Sequence, residues 1–273
     1  MRISNTFNNI TKSILFIILV FLYLPILVLI IYSFNESKLV TIWGGFSTKW
    51  YSELFENTQV ISSAWLSTWI AATTATISVV LGTLAAITLT RLGNFKGRTL
   101  FSGLIAAPII MPEIITGFSL LLLYINLYEF IGWPSERGSI TIIISHVTVC
   151  IAFVTIVVQA RLRQFDIRLE EAAQDLGATP LKVLLTITLP IIFPAIVSAW
   201  LLAFVLSFDD LVIASFTSGT GYTTLPMLIY SKVRLGVSPD INALASIMLI
   251  TIGVIASFSI WLELRGSENA KTV

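Results

Sequence analysis

Apolar residues run along this chain in long blocks separated by short polar stretches, and block length is the first thing the pattern decides. The first block, 14–34, is long enough to cross a hydrocarbon core, which takes about 20 consecutive apolar residues in a helix. Five more follow at about 61–90, 100–126, 140–160, 191–216 and 241–262. A backbone immersed in lipid has to satisfy its own hydrogen bonds, and apolar runs of this length do so as helices. The pattern predicts an all-α polytopic membrane protein with six transmembrane helices in a single domain, 1–273. The first block follows Arg2 and Lys12 as a signal peptide would, but it exceeds a signal core and lacks a small-residue cleavage site, so it reads as a retained span.

The longest polar interruption, 161–190, has a period of its own. Leu169, Ala172, Ala173 and Leu176 fall at i, i+3, i+4, i+7, while Arg168, Glu171 and Asp175 line another face, which predicts a short amphipathic helix. Asp166 is its candidate N-cap, and Gly177 stands where a left-handed turn ends a helix. Thr179 and Pro180 supply the cap and first residue of a second short helix. Periodicity alone makes this an ordinary surface hairpin.

Composition agrees with the spans: the chain is 56% hydrophobic and 11% charged, where soluble domains carry roughly a quarter charged residues. Lys and Arg number 16 against 15 Asp and Glu, a net charge of +1 that suggests no nucleic-acid partner. With an inward N-terminus, eleven basic residues (Arg2, Lys12, Arg91, Lys96, Arg98, Arg161, Arg163, Arg168, Lys182, Arg265 and Lys271) fall in inner segments. Five, Lys38, Lys49, Arg137, Lys232 and Arg234, fall outside. The positive-inside rule then puts both termini and the 161–190 loop in the cytoplasm. Trp43, Trp50 and Trp133-Pro134 lie in the outer segments and are expected as interfacial anchors, and Ser238-Pro239-Asp240 as the start of the last span.

Several chemistries are excluded. The sequence Gly-x-x-x-x-Gly-Lys-Ser/Thr does not occur, so ATP is not bound here through a P-loop. His-Glu-x-x-His and Gly-x-Ser-x-Gly are missing too. The single cysteine, Cys150, rules out an internal disulfide framework and reads as a small buried side chain. The single histidine, His146, reads as packing or bonding a carbonyl rather than binding metal. No catalytic residue, metal or cofactor is expected.

What remains inside the spans has one sign. Glu113, Asp209 and Asp210 are the acidic residues well within them, and no Lys or Arg accompanies them. A charge at the centre of a membrane helix costs about 2.5–3.5 kcal/mol on insertion scales, which makes such groups functional candidates. At about 1.5 Å per residue along unbroken helices, Glu113 lies about 20 Å and Asp209 about 28 Å from the cytoplasmic end. Pro108 and Pro112 flank Glu113's approach and free helical carbonyls, so carbonyls and carboxylate together suit a cation. The competing readings are a hydrogen-bonded packing carboxyl for Glu113 and an interfacial pair for Asp209 and Asp210. Adjacent helical residues diverge by about 100°, so one of the two aspartates is expected on the path.

The residues Glu171, Ala172, Ala173, Gly177, Ile187, Leu189 and Pro190 stand in the register Glu-Ala-Ala, three residues, Gly, nine residues, Ile-x-Leu-Pro. That register resembles the signature cytoplasmic loop of ABC importer permeases. The resemblance implies a type I ABC importer permease fold and a coupling role for Glu171, Ala172, Ala173, Asp175, Gly177, Leu189 and Pro190 against a separate ATPase. Further stretches, Tyr32 to Asn35, Thr48 to Tyr51, Met111 to Ile114, Ser207 to Phe216 and Gly236 to Ala245, resemble the putrescine/spermidine branch, and the Trp43 and Gly132-Trp133-Pro134 regions are more similar to its putrescine members. Where relatives are expected to carry aspartate, this chain has Glu113, which keeps the charge. The resemblance implies polyamine import across a bacterial inner membrane. It also implies a second homologous permease, two copies of a cytoplasmic ATPase and a periplasmic or surface polyamine-binding protein as partners, besides membrane lipid. The alternative of another class is an ion-coupled secondary transporter of an organic cation, which would use the same carboxylates as coupling sites.

Overall fold

Long apolar runs become long helices. The computed structural model describes residues 2–38, 42–236 and 239–269. Ser238, expected to cap the last span, lies outside the described residues. Helix α1 (Arg2–Tyr32) carries the first apolar block, and a short α2 (Lys49–Glu56) precedes α3 (Thr58–Arg91). There follow α4 (Arg98–Ile110), α5 (Glu113–Ile131), α6 (Ser139–Gln164), α7 (Arg168–Asp175) and α8 (Pro180–Val183). A π-helical turn at Leu184–Thr188 leads into α9 (Leu189–Phe208), then α10 (Val212–Thr217), α11 (Leu225–Leu235) and α12 (Pro239–Asn269). No β-strand occurs among the described residues, and 6 helical stretches are long and apolar enough to span a bilayer.

Two of the expected spans are interrupted. The 100–126 block is not one helix: α4 stops at Ile110 and α5 starts at Glu113. Pro112 has no N–H to continue the ladder, and it holds Met111 in extended conformation, ψ 137°. The ends are closed locally. Met111 N–H reaches the Ala107 carbonyl at 3.1 Å, and the Pro112 carbonyl accepts Ile115 and Thr116 N–H at 3.0 and 3.1 Å. Glu113 therefore opens a helix instead of sitting midway along one, and the depth read from an unbroken rise does not hold. The 191–216 block likewise breaks after Phe208, leaving Asp209 and Asp210 between α9 and α10, while its helix reaches back to Pro180. The π-turn has a cause in Pro190, whose ring would meet the carbonyl four residues earlier in a regular α-helix. The wider turn sends the Leu189 N–H to the Leu184 carbonyl instead.

The chain divides into two compact units. One takes residues 1–61 and 229–251. Its organising residue is Asn35, whose amide donates to the Ile42 carbonyl at 2.8 Å and accepts the Gly44 N–H at 2.8 Å. Trp50 donates its indole N–H to the Asn35 carbonyl at 2.6 Å and is 5% exposed. Trp50 is thus a core residue of this unit, not an interfacial anchor: the buried indole N–H found a backbone partner. Trp43 and Trp133 stay partly exposed.

The other unit takes residues 62–228 and 252–273. Here α6 packs on α9 through Cys150, Val154, Val158, Ile192, Ala199 and Ala203. Small residues allow close approach where lipid offers no hydrophobic drive between helices. Gly82 of α3 belongs to the same logic, since a Cβ there would lie 2.6 Å from Val154 Cγ1. Gly117 of α5 performs it against α10, where a Cβ would lie 2.7 Å from the Phe216 ring. The start of α6 is tied to the end of α10 by the Thr141 hydroxyl, 2.7 Å from the Thr217 carbonyl.

Candidate functional site

Two places in the larger unit collect the residues singled out by sequence, an exposed loop surface and an acid-lined cavity. The loop surface is α7 and its turn. Asp166 sits one residue before the N-cap position held by Ile167, yet its carboxylate accepts the Arg168 backbone N–H at 3.0 Å and the guanidinium at 2.7 Å. The Arg168 guanidinium beside it holds the Asp166 carboxyl below its ordinary value. At the other end Gly177 takes φ +87°, with Gly177 N–H on the Gln174 carbonyl at 2.8 Å and Ala178 N–H on the Ala173 carbonyl at 3.0 Å. That pair of bonds is a Schellman ending, and only glycine enters its left-handed position without strain. Thr179 then caps α8 by accepting the Lys182 N–H, with Pro180 at its first turn.

Of the residues expected there, Glu171, Ala172, Asp175 and Gly177 are exposed and Ala173 is half-buried. Leu189 is half-buried and Pro190 exposed on the helix that leaves the loop. The apolar side of α7 is also uncovered, with Leu169 50% and Leu176 90% exposed, joined by Leu181 at 65%. Exposed apolar side chains of this kind, next to exposed acidic ones, are the features of an interaction surface.

Sequence reasoning missed what fixes this helix. Glu170, beside the expected Glu171, turns inward, and its Oε1 receives Arg91 Nη2 at 3.1 Å, Arg91 Nε at 3.3 Å and the Thr188 hydroxyl at 2.8 Å. Arg91 also stacks over the Phe165 ring at 5.5 Å. The last residue of α3, the loop helix and the π-turn are thereby joined at one carboxylate oxygen. No local pattern announces it.

The cavity has a volume of about 70 Å³ and is lined by Glu113, His146, Cys150, Ser207 and Asp210, with Val149, Phe153 and Ile213 on its apolar side. The helix breaks build it. Asp210, in the gap before α10, has a side chain 10% exposed, and its Oδ1 accepts the Ala214 N–H at 2.7 Å. His146 is 3% exposed, with Nδ1 2.7 Å from the Ser207 hydroxyl and Nε2 3.2 Å from Asp210 Oδ1. That last approach is not aligned for hydrogen bonding, so Nε2 is buried without a hydrogen-bond partner. Asp209 is not among the residues lining the cavity and is exposed. The structure thus unites Asp210 and Glu113 and leaves Asp209 out.

His146 was expected to pack or to bond a carbonyl. It faces a hydroxyl and a carboxylate instead, brought to it from α9 and the following gap by the α6–α9 packing. Basic side chains of these helices stand at their ends, as at Arg91, Arg98 and Arg161, far along the chain from this cavity. Among the described residues no group of three His, Cys, Asp or Glu is placed to hold a metal. An anionic cavity inside a membrane helix array suits an organic cation, which brings its own protons to the oxygens.

Interrupted membrane helices around a charged cavity, beside an exposed amphipathic loop, are the parts of a membrane transport subunit. Residues 78–264 match the family described as binding-protein-dependent transport system inner membrane component, and the chain belongs to that family. It is 55% identical over 249 residues to the putrescine transport system permease protein PotI of Escherichia coli strain K12, covering 91% of this chain and 89% of PotI. It is 42% identical over 239 residues to the spermidine/putrescine transport system permease protein PotC of the same organism, covering 87% and 88%. Among solved structures, a bacterial ABC transporter that imports the acidic polysaccharide alginate superposes with TM-score 0.72 at 17% identity, covering 94% of this chain and 96% of that one. The MetNI methionine ABC transporter superposes with TM-score 0.61 at 17% identity, covering 78% and 94%. The fold is that of a type I ABC importer permease.

Proposed function

We propose that this chain is the permease subunit of an ABC importer that carries polyamines, putrescine foremost, into the cytoplasm, with ATP hydrolysed by a separate subunit. The observation that carries the reading is the cavity of Asp210 and Glu113 within the membrane helices, a cation site in a chain related to putrescine and spermidine permeases. In this reading both termini and the α7 loop face the cytoplasm, in line with the eleven-to-five excess of basic residues on that side. The exposed residues Glu171, Ala172, Asp175 and Gly177 dock on the ATPase, with Ala173, Leu189 and Pro190 shaping the segment behind them. A second, similar permease completes the pathway, two ATPase copies drive it, and a periplasmic binding protein delivers the substrate.

Mechanistically, closure of the ATPases pushes α7, and the Glu170 junction passes the motion to α3 and α9, switching the helices between inward- and outward-open arrangements. The test is uptake of labelled putrescine and spermidine into proteoliposomes rebuilt with and without the partner subunits. Uptake that requires ATP and every subunit supports the proposal. Uptake by this chain alone, abolished by ionophores and indifferent to ATP, would instead establish the ion-coupled transporter, which none of the relatives named above favours.

A further inference from the structure

We infer that His146 is a member of the substrate site itself, and that with Asp210 and Glu113 it makes the cavity a reader of primary ammonium groups in particular. The inference rests on the polyamine reading above and adds what the site recognises. Its starting point is His146 Nε2, which is buried, faces Asp210 Oδ1 at 3.2 Å without a hydrogen bond and belongs to a residue that lines the cavity. Its other nitrogen meets the Ser207 hydroxyl at 2.7 Å. If Nδ1 carries the proton and donates it to Ser207, the Nε2 lone pair stands 3.2 Å from a carboxylate oxygen, acceptor against acceptor. With that tautomer, the contact is relieved when a group with two or more protons sits beside the pair and donates to both.

Asp210 reinforces the demand. Its Oδ1 is occupied by the Ala214 N–H, while Oδ2 receives no hydrogen bond among the described residues. Glu113 brings a second carboxylate, and Cys150 and Ser207 complete the polar lining without charge. Asp209 is the remaining ionisable neighbour in sequence, and it lies off the cavity. Asp210 Oδ2, the Glu113 carboxylate and His146 Nε2 then offer three acceptor positions. A primary ammonium has three N–H donors in a threefold fan, as a lysine head group does. Val149, Phe153 and Ile213 receive the first methylenes behind it.

The consequence is selectivity by proton count. A tertiary ammonium of equal charge keeps one N–H and leaves two acceptors bare, and each hydrogen bond lost to a charged group weakens binding about tenfold or more. A site that recognised charge alone would not distinguish the two.

The chain's single histidine makes a direct test possible, because one imidazole gives one pair of nitrogen signals. The full chain, labelled with ¹⁵N-histidine and carrying no polyhistidine tag, is placed in lipid nanodiscs and titrated with 1,4-diaminobutane and with its N,N,N′,N′-tetramethyl form. Expected are an Nδ1-protonated imidazole in the free protein and a shift of Nε2 with the diamine. The tetramethyl form requires at least about tenfold higher concentration for the same shift. An imidazole found protonated at Nε2, or equal response to both probes, overturns the inference.

In the assembled importer, His146→Leu lowers putrescine uptake per ATP hydrolysed about tenfold, and His146→Gln, which keeps an acceptor, restores it. Should the importer move no polyamine at all, the functional reading falls. Should it move putrescine while the imidazole signals ignore the diamine, the inference alone falls.

Discussion

The Glu170 junction gives the sharpest quantitative test, because two residues from distant parts of the chain converge on one of its oxygens. Replacing Glu170 with Gln removes the charge while keeping the shape. The Thr188 hydroxyl at 2.8 Å loses an ionised acceptor, and hydrogen bonds to charged groups contribute about 1.5–3 kcal/mol each. Arg91 keeps its charge but loses its counter-ion. The two side chains are 19% and 12% exposed, so the pair lies between an exposed bridge worth about 0–1 kcal/mol and a buried one whose breakage costs about 3–5 kcal/mol. A coupling energy of about 2 kcal/mol follows, close to a 30-fold change in an equilibrium constant. A double-mutant cycle over Arg91→Gln, Glu170→Gln and the pair, read from equilibrium unfolding in mixed detergent micelles, measures it directly. In the assembled importer the same variants should lose uptake more than ATP hydrolysis, since α7 can still dock but no longer pulls α3. Coupling below about 0.5 kcal/mol together with normal uptake per ATP would refute the account of this junction as the link between loop and bundle.

Other outcomes follow from single positions. Gly177→Ala forces a side chain into φ +87°, a strain of about 1–2 kcal/mol that loosens the end of α7, and Glu171→Lys reverses a charge on the proposed docking face. Both should reach the membrane and lose ATP-dependent uptake, as fractionation and transport assays would record. Asp210→Asn should depress putrescine uptake severely, while Asp209→Asn should stay within about twofold of the parent because its carboxylate lies off the cavity. Gly219→Ala would set its Cβ on the Arg137 carbonyl oxygen, a backbone atom that cannot step aside, whereas Gly103→Ala meets open space. Detergent-extracted folded protein should be lost in the first and unchanged in the second.

What the sequence made legible divides by range. The spans were readable because lipid forces every backbone bond inward and so demands long apolar runs. The ending of α7 was readable too: Gly177, Thr179 and Pro180 act through their own backbones. The break before Glu113 was half visible in Pro108 and Pro112, though only Pro112 breaks the helix. The break at Asp209 carries neither Gly nor Pro and sits in an apolar block, so periodicity ran through it. Long-range pairings were invisible. Glu170 with Arg91, and His146 with Asp210, are decided by which helices pack, and short-range spacing does not encode that. Trp50 failed for a related reason, because an indole at a membrane border and an indole in a small core look alike until the Asn35 carbonyl is in place.

The close seat of Gly117 against Phe216 and Ile213 bears on how the transporter must work. It locks the helix that begins at Glu113 to the helix that follows Asp210, so the two carboxylates ride on a common block and cannot be pulled apart without emptying that contact. Packed interfaces of this kind move as bodies and do not stretch. Under the proposed function, alternation would therefore fall on the doors and not on the seat. The proposed cation site would keep its two carboxylates together through the cycle, and what would change is which side of the membrane can reach it.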